Sequence, residues 1–338
     1  MIDGIGGGFS AALAPGNALF LLTGTALGVF AGAMPGLSSS VGLAILLPFT
    51  FGLDPTAALL TMVALYMAGE YGGSIAAIAI GVPGTPPAVA TTFDGYPLTR
   101  RGEAGKALGV SIGASAFGGV FGTLVLMLAF GPLARAALAF GPPEYFALGV
   151  FGLSIVANML GESAVKGFVS VVLGLLLYTV GLDVLSGYPR FTFGTVALQD
   201  GIHLIPTLIG FFAVAEVMKL IGESGREGAS GADDGPVVTG RLPAWREWKP
   251  LLPSVLRGST IGTIVGAIPG AGATIASLIA WNEEKRFSRR PEAFGTGVLE
   301  GVAAPESANN SSVGAAMIPL LALGIPGSAS TAVLLGGL

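Results

Sequence analysis

TGTALGVFAGAMPGLSSS (Thr23–Ser40) and RGSTIGTIVGAIPGAGAT (Arg257–Thr274) decide how this chain is read. In the first, Gly24, Gly28, Gly32 and Gly36 fall four residues apart, with Pro35 before the last. In the second, Gly258, Gly262, Gly266 and Gly270 repeat that spacing 234 positions further on, with Pro269 before the last. Glycine at every fourth position is a close-packing helix face. A Pro-Gly pair at its end interrupts the helix, because proline has no amide hydrogen and glycine admits unusual backbone angles. A second echo follows each ladder: GVPGT (Gly81–Thr85) and GIPGS (Gly324–Ser328). Duplicated apolar segments broken at corresponding points are the pattern of a secondary transporter built from two related halves.

Composition places these segments in a membrane. Of 338 residues, 52% are hydrophobic and 11% charged, with a mean hydropathy of +0.78. Soluble domains carry about 25% charged residues, so this chain has too few to cover a water-facing surface. The net charge of −4 points away from a nucleic-acid partner. Cysteine is absent and histidine occurs once, at His203. No nucleophile–base–acid set can be assembled, and an intramembrane enzyme is not expected. The N-terminal MIDGIGGGFS lacks a basic n-region, so no cleaved signal peptide is expected.

The expected fold is an all-α polytopic integral membrane protein with two inverted-topology repeats, Pro-Gly-tipped helical hairpins and broken helices. The N-terminal repeat covers 1–221: a hairpin at about 17–53, then spans near 57–81, 107–130, 146–160, 165–182 and 203–222. Residues 222–253, rich in Gly and Asp, read as a polar cytoplasmic linker, with Trp245 and Trp248 suited to the interface. The C-terminal repeat begins at 254, with a hairpin at about 255–281 and broken spans over 296–323 and from Ser328. In this layout all sixteen Lys and Arg except Arg135 and Arg190 lie inside. An odd number of crossings then separates the hairpins, which inverts one half relative to the other. A rival layout, with 255–281 as one full span, strands Lys285, Arg286, Arg289 and Arg290 outside.

Chemistry concentrates at the breaks. After each tip a helix restarts, offering free amide hydrogens and a partial positive charge. Pro35, Gly36, Ser38, Ser39 and Ser40 at the first tip, and Pro269, Gly270 and Thr274 at the second, supply a means of holding a carboxylate without a basic side chain. Plain helix packing is the alternative for the ladders, and it accounts for Gly24, Gly28, Gly258 and Gly262. Pro83, Gly84 and Thr85, with Pro326, Gly327 and Ser328, read as further substrate contacts or as helix ends at the interface. Asp94-Gly95-Tyr96-Pro97 reads as a surface turn. Glu70, inside an apolar span, is either a coupling-ion ligand or a neutral, hydrogen-bonded acid. In APESANNSS (Ala304–Ser312), Glu306, Asn309 and Asn310 offer hard oxygen ligands suited to a sodium ion. His203, Asn158 and Glu216 read as interfacial or packing groups.

Four stretches together resemble the large permease subunit of tripartite tricarboxylate transporters, the TctA family. They are MPGLSSSVGLAILLPFTFGLDPTAAL (34–59), EYGGSIAAIAIGVPGTPPAVATTFDGYPLTRRGEAGKALG (70–109), GAIPGAGATIASLIAWNEEKRFS (266–288) and GVAAPESANNSSVGAAMIPLLALGIPGSASTAVLL (301–335). The resemblance implies a carrier of the bacterial inner membrane that takes up tricarboxylates or other carboxylates. It implies a small four-span membrane subunit and a periplasmic solute-binding protein as partners. It also implies a sodium or proton gradient as the driving force, with no further cofactor. The family's Pro-Gly loops fall on Pro35–Gly36, Pro83–Gly84, Pro269–Gly270 and Pro326–Gly327, and its acid-amide motif on Glu306, Asn309 and Asn310. Family permeases continue with further spans, so 254–338 is expected to be the start of a truncated second repeat. A stand-alone carrier of another organic anion, needing no binding protein, is the rival reading.

Overall fold

The computed structural model describes residues 2–139, 164–183, 186–202 and 241–337, with a few isolated positions between them. The expected spans at 146–160 and 203–222 fall essentially outside the described residues, as do His203, Asn158, Glu216 and the linker before residue 241.

Apolar runs bounded by proline and glycine give helices where the sequence predicts them. Helix α1 (Ile2–Leu13), which the sequence reading lacks, precedes α2 (Pro15–Ala33). After a break come α3 (Ser39–Thr50) and α4 (Pro55–Ile80). Helix α4 starts on an Asp54 cap, whose carboxylate accepts from Thr56 N, and ends at left-handed Gly81. A 3-10 turn (Pro86–Ala88) leads into α5 (Val89–Arg100), followed by α6 (Ala104–Leu138). Helix α7 (Ala164–Tyr178) is shorter than the expected 165–182 span. It gives way to a two-residue antiparallel pairing of Gly181–Leu182 with Pro189–Arg190. The second set is α8 (Trp245–Gly266), α9 (Gly272–Phe287), α10 (Glu300–Leu323) and α11 (Ala329–Leu335). Helix α10 ends at left-handed Gly324, as α4 ends at Gly81.

The helical path is interrupted at each of the four Pro-Gly pairs. Gly36 (φ 93°) and Gly270 (φ 87°) occupy backbone that side chains with a Cβ rarely adopt. The predicted linker to 253 needs correction, because α8 already begins at Trp245. Charges and three prolines make 241–253 look like linker. However, Trp248 packs on Gly113 of α6, and Leu251 is buried in an apolar cluster with Ala107, Val110 and Ala114. Tertiary burial overrides weak local propensity there.

Both ladders act as packing seams. Gly24, Gly28 and Gly32 of α2 lie against the backbone of Thr61, Leu65 and Gly69 of α4. Gly258, Gly262 and Gly266 of α8 lie in the same way on Ala304, Ala308 and Ser312 of α10. Gly118 and Gly122 of α6 cover Ser307 and Ser311 from another side. Helix α10 is thereby enclosed, and every residue from Gly301 to Leu320 is buried. Helices α4 and α10 run antiparallel: Ser74 meets Glu306, Glu70 meets Asn309 and Met67 meets Asn310. One apolar cluster joins Met62, Leu65 and Tyr66 to Val313, Met317 and Leu320, and another joins Ile78 to Val302 and Ala303. A polar belt lies between them. Helices α2, α4 and α6 are long and apolar enough to cross a bilayer. Their exposed faces carry Leu19, Leu22, Phe30, Val120, Leu124 and Leu128.

Asp94 is not in a surface turn. It sits within α5, fully buried. Its Oδ1 accepts from the amides of Gly295 (2.9 Å), Gly297 (2.9 Å) and Val298 (3.0 Å), and its Oδ2 from Trp281 Nε1 (2.8 Å). The Asp-Gly-Tyr-Pro composition suggests a turn, yet this carboxylate supplies the acceptors that the loop before α10 lacks. Asp94→Ala leaves four N–H donors without their acceptor and is expected to cost at least about 3 kcal/mol. The melting temperature of the detergent-solubilised protein should fall clearly, with Asp94→Asn in between. An unchanged melting temperature for Asp94→Ala would show that the loop holds without this carboxylate.

Candidate functional site

The interruptions bring four distant segments around one cavity of about 490 Å³. Ser38, Ser39 and Ser40 come from the start of α3, and Gly270 to Ile275 from the start of α9. Thr85, Pro86 and Pro87 follow the first GVPGT string, and Ser328 to Ser330 follow the second. Tyr66 and Glu70, one turn apart on α4, complete the wall. Among the described residues, no lysine, arginine or histidine lines it.

Local sequence explains each contribution. Ser38 caps α3, its Oγ accepting from Val41 N at 3.4 Å and lying 2.8 Å from Ser40 Oγ. Ser328 caps α11 reciprocally with Thr331. Its Oγ also lies 3.1 Å from Tyr66 Oη, which ties the two halves of the chain together across the cavity. Gly270 N donates to Gly327 O at 3.0 Å, and Gly84 N donates to Gly73 O at 3.0 Å. Gly84 fits against Gly32 and Gly73 so closely that a Cβ would collide with backbone. Of the residues singled out from sequence, Ser38, Ser39, Thr85, Gly270, Thr274, Ser328 and Glu70 line the cavity. Pro35, Gly36, Pro83, Gly84, Pro269, Pro326 and Gly327 are not in the wall; they lie in the interruptions that position it.

The acidic and amide residues divide into two environments. Glu306 is fully buried and lies outside the cavity wall. Ser74 (2.5 Å) and Thr91 donate to its Oε1, while Ser111 (3.0 Å) and Ser115 (2.9 Å) donate to its Oε2. Four hydroxyls from α4, α5 and α6 thus saturate this carboxylate. It joins α10 to three neighbouring helices, and that placement separates it from the Glu70 site with which the sequence grouped it. Asn309 and Asn310 remain with Glu70: their Nδ2 atoms donate to the backbone oxygens of Glu70 and Met67, both at 3.1 Å. The sequence reading omitted Tyr66 and the hydroxyls around Glu306. Spacing carried a signal in two cases, since Tyr66 lies four residues before Glu70, and Ser111 four before Ser115, each pair sharing a helix face.

Chemically, the cavity can receive an anion. The N-termini of α3 and α9 open into it, bringing the positive ends of two helix dipoles, with hydroxyl donors between them.

Residues 18–338 match the tripartite tricarboxylate transporter TctA family. A protein of Agrobacterium vitis, described as an uncharacterized 52.8 kDa protein in the TAR-I ttuC' 3'region, is 40% identical over 340 residues, covering 99% of this chain and 66% of that protein. A second Agrobacterium vitis protein, described as an uncharacterized protein in the TAR-II ttuC' 3'region, is 45% identical over 75 residues, covering 22% of this chain and 31% of that one. The chain thus spans just under two thirds of the length of the first of these relatives. No solved structure matches it. The match over almost the whole length means that the chain belongs to the tripartite tricarboxylate transporter TctA family.

Proposed function

We propose that the chain forms the substrate-translocating part of a secondary transporter that takes up tricarboxylates or other carboxylates across a bacterial inner membrane. The observation that carries this reading is the cavity itself. It is lined by hydroxyls and two helix N-termini and is built from all four interrupted segments of a family whose name specifies tricarboxylate transport. Backbone amides and the hydroxyls of Ser38, Ser39, Thr85, Thr274 and Ser328 hold the carboxylate groups. Membership of a tripartite system supports two partners, a small membrane subunit and a periplasmic binding protein that delivers the anion.

In this reading the two sets of helices are inverted repeats. Support comes from the shared order of ladder helix, break, second helix and long third helix ending at left-handed glycine. It comes also from the antiparallel course of α4 and α10, the corresponding third helices. Alternating access moves one set against the other, with Tyr66–Ser328 among the contacts that must change. Uptake is driven by a sodium or proton gradient. A negatively charged Glu70 in the cavity wall requires such a partner ion. A unit charge held about 6 Å from another at an effective dielectric near 20 is repelled by about 3 kcal/mol, or about a hundredfold in affinity.

Two measurements test the proposal in the intact protein with its partners. Gly36→Leu and Gly270→Leu place branched side chains at positive-φ positions in the breaks, and both are expected to abolish uptake of labelled citrate while leaving membrane insertion intact. Wild-type uptake by both variants would refute the role of the breaks. Omitting the periplasmic binding protein is expected to reduce uptake at least about tenfold, an effect of about 1.4 kcal/mol at limiting substrate. Undiminished uptake would favour the stand-alone carrier instead.

A further inference from the structure

Among the described residues, six buried side-chain oxygens have no hydrogen-bond partner: Ser39 Oγ, Glu70 Oε2, Thr85 Oγ1, Asn309 Oδ1, Asn310 Oδ1 and Ser259 Oγ. Ser259 lies on α8. The other five border one stretch of α4, from Met67 to Gly73. We propose that Ser39, Glu70, Thr85, Asn309 and Asn310 form a site for one dehydrated monovalent cation of sodium size in the wall of the anion cavity, and that Glu306 takes no part in it. The proposal rests on the carboxylate-transport reading, because it names the ion that the anion requires.

Placement comes first. Asn309 and Asn310 dock their amide nitrogens on the carbonyls of Glu70 and Met67. That contact fixes the orientation of both amides, since a side-chain NH2 must face a backbone oxygen, and it leaves each Oδ1 on the other side. Ser39 and Thr85 sit on the glycines that flank Glu70. A Cβ at Gly69 would come within 2.8 Å of Ser39 Oγ, and one at Gly73 would overlap Thr85. On a helix turning about 100° per residue, positions 69 and 73 share one face and Glu70 stands beside it, toward α10. Glu70 thus projects between the two hydroxyls on one flank and the two amides on the other.

Chemistry comes second. The five groups present oxygens, and each asparagine amide nitrogen is engaged by a backbone carbonyl. A cluster of buried hard oxygens without hydrogen-bond partners suits a hard cation. One carboxylate among four neutral ligands balances a single positive charge. All five residues are more than nine-tenths buried, so the ion would shed most of its water. Glu306 is different, because four hydroxyls already occupy its two oxygens.

Position then gives coupling. Ser39, Glu70 and Thr85 belong both to this cluster and to the cavity wall. A cation on Glu70 cancels its repulsion of an arriving carboxylate, so the cation binds first and raises anion affinity by up to about a hundredfold. By linkage, the anion tightens the cation to the same degree.

The test uses the intact purified protein in detergent, with sodium chloride titrated against potassium and choline chlorides at constant ionic strength. Sodium alone should raise the wild-type melting temperature. Glu70→Gln and Thr85→Val should each weaken the sodium midpoint about tenfold or more, with Ser39→Ala read in place of either variant that does not fold. Glu306→Gln should melt lower yet keep the wild-type midpoint. The site is overturned if the three salts act alike on the wild type, or if Glu70→Gln and Thr85→Val keep the wild-type midpoint. It is also overturned if Glu306→Gln alone loses the sodium response. Citrate uptake into proteoliposomes with both partner proteins separates the two claims. Uptake driven by protons and indifferent to sodium removes the cation site and leaves the transport reading. A sodium-dependent melting shift without carboxylate uptake in any gradient removes the transport reading and leaves the site.

Discussion

The antiparallel contact between α4 and α10 governs the rest of the structure. Helix α10 carries Glu306, Ser307, Asn309, Asn310, Ser311 and Ser312 in one short run, a sequence that lipid would reject. It is tolerable at membrane depth only if protein covers it completely, and every residue from Gly301 to Leu320 is buried. Covering it brings the middle of α4 against it, and the hydrogen bonds to Met67, Glu70 and Ser74 follow from that approach.

Glycine makes the enclosure geometrically available. Backbones that approach within van der Waals contact leave no space for side chains, so α2 on α4, and α6 and α8 on α10, meet through glycine. The same tight seams fix where the chain can break. With α2 held along α4, and α8 along α10, each ladder ends at a Pro-Gly pair that leads directly into residues of the cavity wall. The restarted helices α3 and α9 then present their amino ends to the shared cavity. Packing and binding are therefore not separate uses of the ladder. The packed portion aims the broken portion.

This division explains what could be read from sequence. The ladders, the Pro-Gly interruptions and Glu70 were legible because each violates a local expectation: glycine and proline where a helix should run, a charge where lipid should lie. Asp94 was not legible. Its neighbours Gly95 and Pro97 favour a turn, and its true partners lie some 200 residues later, in the loop at Gly295–Val298. The hydroxyls around Glu306 escaped for a related reason, since Ser and Thr are ordinary in membrane helices and only the tertiary arrangement aims four of them at one carboxylate. The start of α8 was placed late because Pro250 and Pro253 signal a break locally, whereas Trp248 and Leu251 find partners on α6 only in the folded chain.

Glu70 and Glu306 show why residue type alone does not assign a role. Both are buried acids on antiparallel helices in the same polar belt. Glu306 has exchanged water for four hydroxyl donors contributed by α4, α5 and α6, so moving any of those helices alone would uncover it. A carboxylate so held stabilises one arrangement and resists change. Glu70 has an oxygen without a donor and faces a cavity whose remaining walls come from both helix sets. In the proposed reading its counter-charge is the bound cation, and the strength of that binding depends on what else the cavity holds.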